Sequence, residues 1–261
     1  MILPFLDPDH LGTVVAAIRA QRPLVHCLTN QVAANLTANA LLCIGASPLM
    51  AEADDEVATL SPDAVLINLG MQTPARMQAA RIAVAAAQRR GISWVLDPVA
   101  AGALPLRTTL ALELLAFRPA VIKGNASEII ALAGGHGGRG TDTTVPTLEA
   151  QELGEALARD TGAVIAITGP EDIVTDGHRT TFVRHGHPMM AQISGLGCAA
   201  GALIAACLTV ETNAMLAATK ALTMVGWAAE LAAVRASGPA SLQTGLLDEL
   251  SQLGSEPVRT P

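Results

Sequence analysis

Aromatic residues are nearly missing from this 261-residue chain, which has no tyrosine, three phenylalanines and two tryptophans. Without rings there is no platform on which successive bases stack, and the core has to be assembled from Ala, Val, Leu and Ile. Charge is also sparse, at 15% of residues, and its balance is acidic: 16 Lys and Arg against 23 Asp and Glu, a net charge of -7. No basic run occurs, so a nucleic-acid surface is not expected. Any phosphate must be held locally, by backbone N–H groups and one or two cations. The four cysteines, Cys27, Cys43, Cys198 and Cys207, form no CxxC pair, which points to reduced thiols in a cytoplasmic protein. Met1-Ile2-Leu3-Pro4-Phe5 has no basic flank and meets Asp7 before an apolar stretch develops, so no signal peptide is expected. The apolar run from Ala199 to Val210 is too short to span a bilayer.

What is present is an alternation of short apolar runs and longer amphipathic ones. Strands are expected at Leu24–Cys27, Ala46–Met50, Ala64–Asn68, Ser93–Leu96, Ala120–Ile122 and Ala163–Ile167. Helices are expected at 31–44, 74–90, 107–117, 126–133 and 148–160. The near-continuous apolarity of several strands predicts a parallel sheet covered on both faces, a doubly wound α/β layer. Asp176-Gly177 between two β-like runs, 172–175 and 180–184, predicts a hairpin. Beyond Ser194 the pattern is helical, at 198–208, 213–235 and 239–253. With no Ser/Gly-rich linker, residues 1–261 are expected to form one domain. The Gly- and Thr-rich stretch 134–146 is expected to be a surface loop.

In such a layer chemistry collects at strand C-termini, and six segments there are informative. Ser194-Gly195-Leu196-Gly197-Cys198 opens a helix whose first N–H groups lack intrahelical partners and carry the positive end of the dipole, an anion hole without a charged side chain. Cys198 in that first turn is expected to have a lowered thiol pKa; a buried, inert Cys is the alternative. Asp97, fixed by Pro98 at a strand end, is placed to hold Mg2+ through water or simply to cap a loop. Asn125 and Glu128 have the spacing of a capping box and, read functionally, face phosphates with Glu128 reaching the metal and Lys123 beside them as a cation. Thr168 ends a strand where its hydroxyl can bond a phosphate oxygen; Asn30 follows the first strand and Met50 the second. Gly135 to Gly140 satisfies GxGxxG but follows a helix pattern, not a strand, so the dinucleotide reading fails. His185 and His187 lack partners at metal-ligand spacing.

Together, His26-Cys27-Leu28-Thr29-Asn30, Gly45-Ala46-Ser47-Pro48-Leu49-Met50, Leu96-Asp97-Pro98-Val99, Gly124-Asn125-Ala126-Ser127-Glu128, Gly186-His187-Pro188 and Gly195-Leu196-Gly197-Cys198 resemble, in order, the segments of the hydroxyethylthiazole kinases of the ribokinase-like superfamily. The resemblance implies a three-layer α/β/α fold with a mostly parallel central sheet and helices on both faces. It implies transfer of phosphate from ATP, with Mg2+, to 4-methyl-5-(2-hydroxyethyl)thiazole in thiamine salvage, by a homotrimer with sites near subunit interfaces. Met50, Gly195 and Asn30 would then meet the thiazole alcohol and Lys123, Thr168 and Asn125 the ATP. Asp97 and Glu128 would lie on the metal side, and Cys198 would occupy the place of the superfamily's catalytic Asp. The chain departs from the family pattern at Lys123 (usually Arg), Leu196 (usually Thr) and Ala100 (usually Gly).

Overall fold

The computed structural model describes residues 8–135 and 147–254. The chain runs α1 (Pro8–Gln21), β1 (Leu24–Leu28), α2 (Ala34–Cys43), β2 (Ser47–Leu49), α3 (Asp54–Thr59), β3 (Ala64–Asn68), α4 (Pro74–Arg90), β4 (Ser93–Asp97) and α5 (Pro105–Leu115). It continues with β5 (Val121–Asn125), α6 (Ala126–Leu132), α7 (Gln151–Thr161), β6 (Val164–Thr168), β7 (Asp172–Thr175), β8 (Thr180–Val183), α8 (Leu196–Cys207), α9 (Ala214–Ala233) and α10 (Pro239–Gln252). Neither α1 nor α3 is among the helices expected, although Leu11, Val14, Val15 and Ile18 in α1 have amphipathic spacing and are all buried. The Gly- and Thr-rich stretch falls mostly on residues 136–146, outside the described residues, as does most of the GxGxxG match.

One eight-stranded sheet has the order β2-β1-β3-β4-β5-β6-β7-β8. β1 to β6 are parallel, and β7 and β8 close one edge as the antiparallel hairpin expected at Asp176-Gly177. Two apolar layers flank it. Residues of α1, α2, α8, α9 and α10 form one, and residues of α4 to α7 form the other. Both faces of the parallel strands are thereby covered, and β3 is buried at every position. Few rings are needed: Trp94 is the largest fully buried side chain, and its indole N–H donates to the Phe117 carbonyl at 3.1 Å.

Small residues decide where α8 sits. It lies over β3 and β4, and a Cβ at Gly201 would come within 3.1 Å of Leu66 Cδ1. Ala and Gly on that face let the helix approach the sheet closely, which brings its N-terminus over the ends of the central strands. The chain leaves β1 for β2 on one side and then returns to β3 on the other. The crevice between the ends of β1 and β3 is therefore the topological switch point, where ligands bind in such sheets.

Candidate active site

At that crevice polar side chains form one connected chain. Asn30, just after β1, donates from Nδ2 to Asn68 Oδ1 at 3.0 Å and to Cys198 Sγ at 3.5 Å, while its Oδ1 accepts the Ala33 N–H at 3.1 Å. Asn68, the last residue of β3, donates to Asp97 Oδ2 at 2.7 Å. Asp97 Oδ1 in turn lies 3.4 Å from Lys123 Nζ. Asp97 is 1% exposed and Lys123 5%, so this is a buried ion pair. Gly197 closes it from above: a Cβ there would stand 3.3 Å from Lys123 Nζ. The first turn of α8 thus lies against the ammonium with nothing but backbone between.

Burial disfavours the Lys123 charge, but Asp97, Cys198 and Glu128 outweigh it and hold the ammonium above its ordinary pKa. Burial pushes the Asp97 carboxyl upward, against the pull of Lys123 and Asn68. Glu128, 5% exposed, is raised to about 7, first by burial and then by Asp97. Its Oε1 accepts the Ala100 N–H and its Oε2 the Asn125 N–H, each at 2.8 Å, while Asn125 Oδ1 accepts the Glu128 N–H at 3.0 Å. The expected capping box is present, and through Ala100 it also fixes the loop after β4. Ala100 sits at φ +64°, in the left-handed region where glycine costs least.

Two expectations are corrected here. Cys198 lies in the first turn of α8, but its thiol is not acidified: burial, and then Asp97, push it up to about 11 despite Lys123, Asn30 and Asn68. The helix end is outweighed chiefly by burial of the thiol, to which the Asp97 carboxylate adds. Cys198 is therefore a protonated thiol near neutral pH, and a thiol-nucleophile chemistry loses its basis. Leu196 keeps its N–H, but that group donates to the Ile193 carbonyl at 3.4 Å, and the side chain is buried in the helical layer. Among the described residues, the N–H groups of Gly197 and Cys198 have no backbone acceptor, so the anion hole reduces to those two.

The remaining predicted residues divide. Thr168 pairs with Asn125 across β5 and β6, and its hydroxyl donates to the Gly124 carbonyl at 3.3 Å. Gly195 has φ +83°, and a Cβ there would meet Ala33 Cα at 2.9 Å, so only glycine fits beside the turn after Asn30. Met50, after the edge strand β2, is partly exposed and packs against the helical layer; no polar contact joins it to the Asn30–Lys123 chain. Asn68 is the residue the motifs missed. Its place at a strand end before Leu69-Gly70 was the available signal. Two further polar groups join this end: Asp172 Oδ1 accepts the Gly169 N–H at 2.9 Å, and burial raises its carboxyl to about 7. No group of three or more His, Cys, Asp or Glu among the described residues gathers to hold a metal, so His185 and His187 build no such site. An open recess of about 700 Å³ between Arg118, Pro119, Asp160 and Gly162 lies at the opposite, N-terminal ends of β5 and β6, away from this chemistry.

A mostly parallel sheet with helical layers on both faces is the fold of ribokinase-like proteins. A ribokinase-like superfamily protein from Enterococcus faecalis V583 superposes with a TM-score of 0.65 over 95% of each chain at 15% identity, a likeness of fold alone. A sequence profile of the hydroxyethylthiazole kinase family matches residues 15–256. The hydroxyethylthiazole kinase of Granulibacter bethesdensis is 50% identical over 249 residues, 94% of this chain and 91% of that one. That of Cronobacter sakazakii is 47% identical over 245 residues, 93% and 92% of the two chains. The solved hydroxyethylthiazole kinase protein from Pyrococcus horikoshii OT3 has a TM-score of 0.87 at 38% identity, covering 97% of both chains. The chain belongs to the hydroxyethylthiazole kinase family. Among the described residues no helix is long and apolar enough to cross a membrane.

Proposed function

We propose that the chain transfers the γ-phosphoryl group of ATP to the hydroxyl of 4-methyl-5-(2-hydroxyethyl)thiazole, the step that returns the thiazole half of thiamine to use. The observation that carries this is the first turn of α8: Gly197 lies over the Lys123 ammonium while Cys198 is bonded to Asn30, so anion-binding groups and a neutral thiol–amide pair share one helix end.

Phosphoryl transfer to an alcohol requires alignment and charge neutralisation more than a strong base. The Gly197 and Cys198 N–H groups and Lys123 would receive the charge on the transferring group, with Asn125 and Thr168 at the nucleotide phosphates. The acceptor hydroxyl would lie at Cys198 and Gly195, with Asn30 beside them and Met50 against the ring. The Cys198 thiol, held protonated, serves to position the hydroxyl and accept its hydrogen bond; as the new O–P bond forms and the bond to ADP breaks, the alcohol's proton passes to an oxygen of the transferring phosphoryl group. Mg2+ fits Asp97 and Glu128. These are two buried carboxylates near each other whose raised pKa values a cation would relieve, and Mg2+ commonly takes one or two carboxylates and lets phosphate oxygens and water complete its shell. When bound, it would neutralise phosphate charge.

The reading extends to a single domain over residues 1–261, a cytoplasmic location, and a homotrimer with its sites near subunit interfaces. Met50 supports the last point, standing at the sheet edge with part of its side chain open. A coupled ADP-release assay against thiazole, pyrimidine and sugar alcohols tests the function. Turnover that depends on hydroxyethylthiazole is expected; preference for a hydroxymethylpyrimidine or a sugar would replace the substrate while leaving the class.

A further inference from the structure

Beneath the acceptor side of the rim, two buried side chains with no role assigned so far tie together three consecutive strand–helix junctions. Arg76, in the first turn of α4 and 8% exposed, donates from Nη2 to the Thr29 carbonyl, beside Asn30. Its Nη1 pairs with Glu52 Oε1 at 2.7 Å, two residues past Met50. Its own backbone N–H is held by the N-cap Thr73 at 3.2 Å, which anchors the guanidinium to the junction after β3. His26 in β1, 1% exposed, bonds from Nε2 to the Ala51 carbonyl at 2.9 Å. A carbonyl only accepts, so Nε2 carries the hydrogen. Burial lowers the His26 pKa, and the ring is neutral. The segment Met50-Ala51-Glu52, otherwise a loop off a three-residue edge strand, is thus gripped at both residues that follow Met50.

This arrangement is a poor way to gain stability. Arg76 Nε has no hydrogen-bond partner among the described residues, and neither does the Thr29 hydroxyl. A buried guanidinium with an unused donor costs more than an apolar side chain of the same size. What the charge secures is geometry: a planar fork that reaches two loops at once.

We propose that His26 and Arg76 are positioning residues of the acceptor subsite, holding Met50 and Asn30 at the separation the acceptor alcohol requires. The proposal rests on the reading that the acceptor lies between Asn30 and Met50. The test is two-substrate steady-state kinetics, with melting temperatures, on the full chain and its Arg76→Met, Arg76→Lys, His26→Leu and His26→Gln variants. Arg76→Met should raise the acceptor KM about tenfold, as expected of a small displacement of positioning groups. It should leave the ATP KM within about twofold and move the Tm by no more than about 3 °C. His26→Leu should act in the same direction, and His26→Gln, which keeps a donor, should recover part of the loss, as should Arg76→Lys. Equal rises in both KM values that track a falling Tm would mark a merely structural role and overturn the proposal, as would an unchanged acceptor KM. If Arg76→Met does not fold, Glu52→Ala removes one hold from an exposed partner; it should raise the acceptor KM about threefold, and no change would be contradictory. The kinetics use whichever alcohol the wild-type protein phosphorylates, so a different acceptor corrects the substrate and leaves the test intact. A wild-type protein that phosphorylates none overturns both.

Discussion

The ends of β1 to β3 and the ends of β4 to β6 meet at Asp97 but are built differently. On the first side the connected groups at the crevice are neutral: two amides and a thiol, at Asn30, Asn68 and Cys198. The cationic support there is set behind them, in Arg76, and touches loops. On the second side charge stands in the crevice itself, as Lys123, Asp97 and Glu128, each tied to a neighbour by backbone or ion pairing. A neutral niche suits an uncharged alcohol and excludes competing salts; a charged one suits phosphates and a cation. On the proposed reading, that difference would let one parallel sheet hold two dissimilar ligands, by changing the polarity of strand ends while keeping their geometry.

Asp97 is where that comparison breaks first, because it bonds to Asn68 on one side and to Lys123 on the other. Asp97→Asn should cost on the order of a thousandfold in kcat, the scale of charge stabilisation lost at a phosphoryl centre, measured by ADP release. A loss confined to the KM of one substrate would place Asp97 wholly on one side. Cys198→Ala should lose about tenfold in kcat and Cys198→Asp should stay active, if the thiol acts as proposed by positioning a hydroxyl. An unchanged rate in Cys198→Ala would remove the thiol from the neutral niche.

On the charged side, Asp172 carries a pH signature. Burial, opposed by the Gly169 N–H and by Lys123, raises its folded-state pKa from 3.8 to about 7. Its contribution to stability is therefore full below the unfolded value and is lost as pH rises through about 7. Between pH 5 and pH 8 the unfolding free energy, from denaturant melts, should fall by on the order of 1–2 kcal/mol more in the wild type than in Asp172→Asn. Parallel profiles would mean that this carboxyl is not confined. The smallest effect is expected at the loop between the two carboxylates: Ala100→Gly should raise stability by about 0.5–1 kcal/mol by relieving a positive φ, read from the same melts.

The charged side was the more legible one in the sequence. Asp97-Pro98, Lys123-Gly124-Asn125 and Thr168-Gly169 announce strand ends by local composition, and the capping box is a pattern of four residues. The neutral side is assembled from residues far apart in the chain. Asn68 and Arg76 acquire their partners only when β3 and α4 are placed beside β1; the strand end at Asn68-Leu69-Gly70 marks a position but not a partner, and no local pattern marks Arg76. The raised thiol of Cys198 was hidden for the same reason, because a helix N-terminus is local while the burial that outweighs it, with Asp97 adding to it, is made by the packed sheet and helices. In the fold, the strands and most buried helices followed from apolar runs, but α1 was not read as a helix although its Leu11, Val14, Val15 and Ile18 have amphipathic spacing. The short acidic helix α3 was missed because its single buried side chain, Val57, makes no periodicity.

The division of the crevice is tested most directly by two-substrate kinetics of Lys123→Ala. The account predicts an ATP KM raised by about tenfold or more, as befits loss of a charge-assisted contact to phosphate, with the hydroxyethylthiazole KM within about twofold of wild type. Equal increases in both would contradict it.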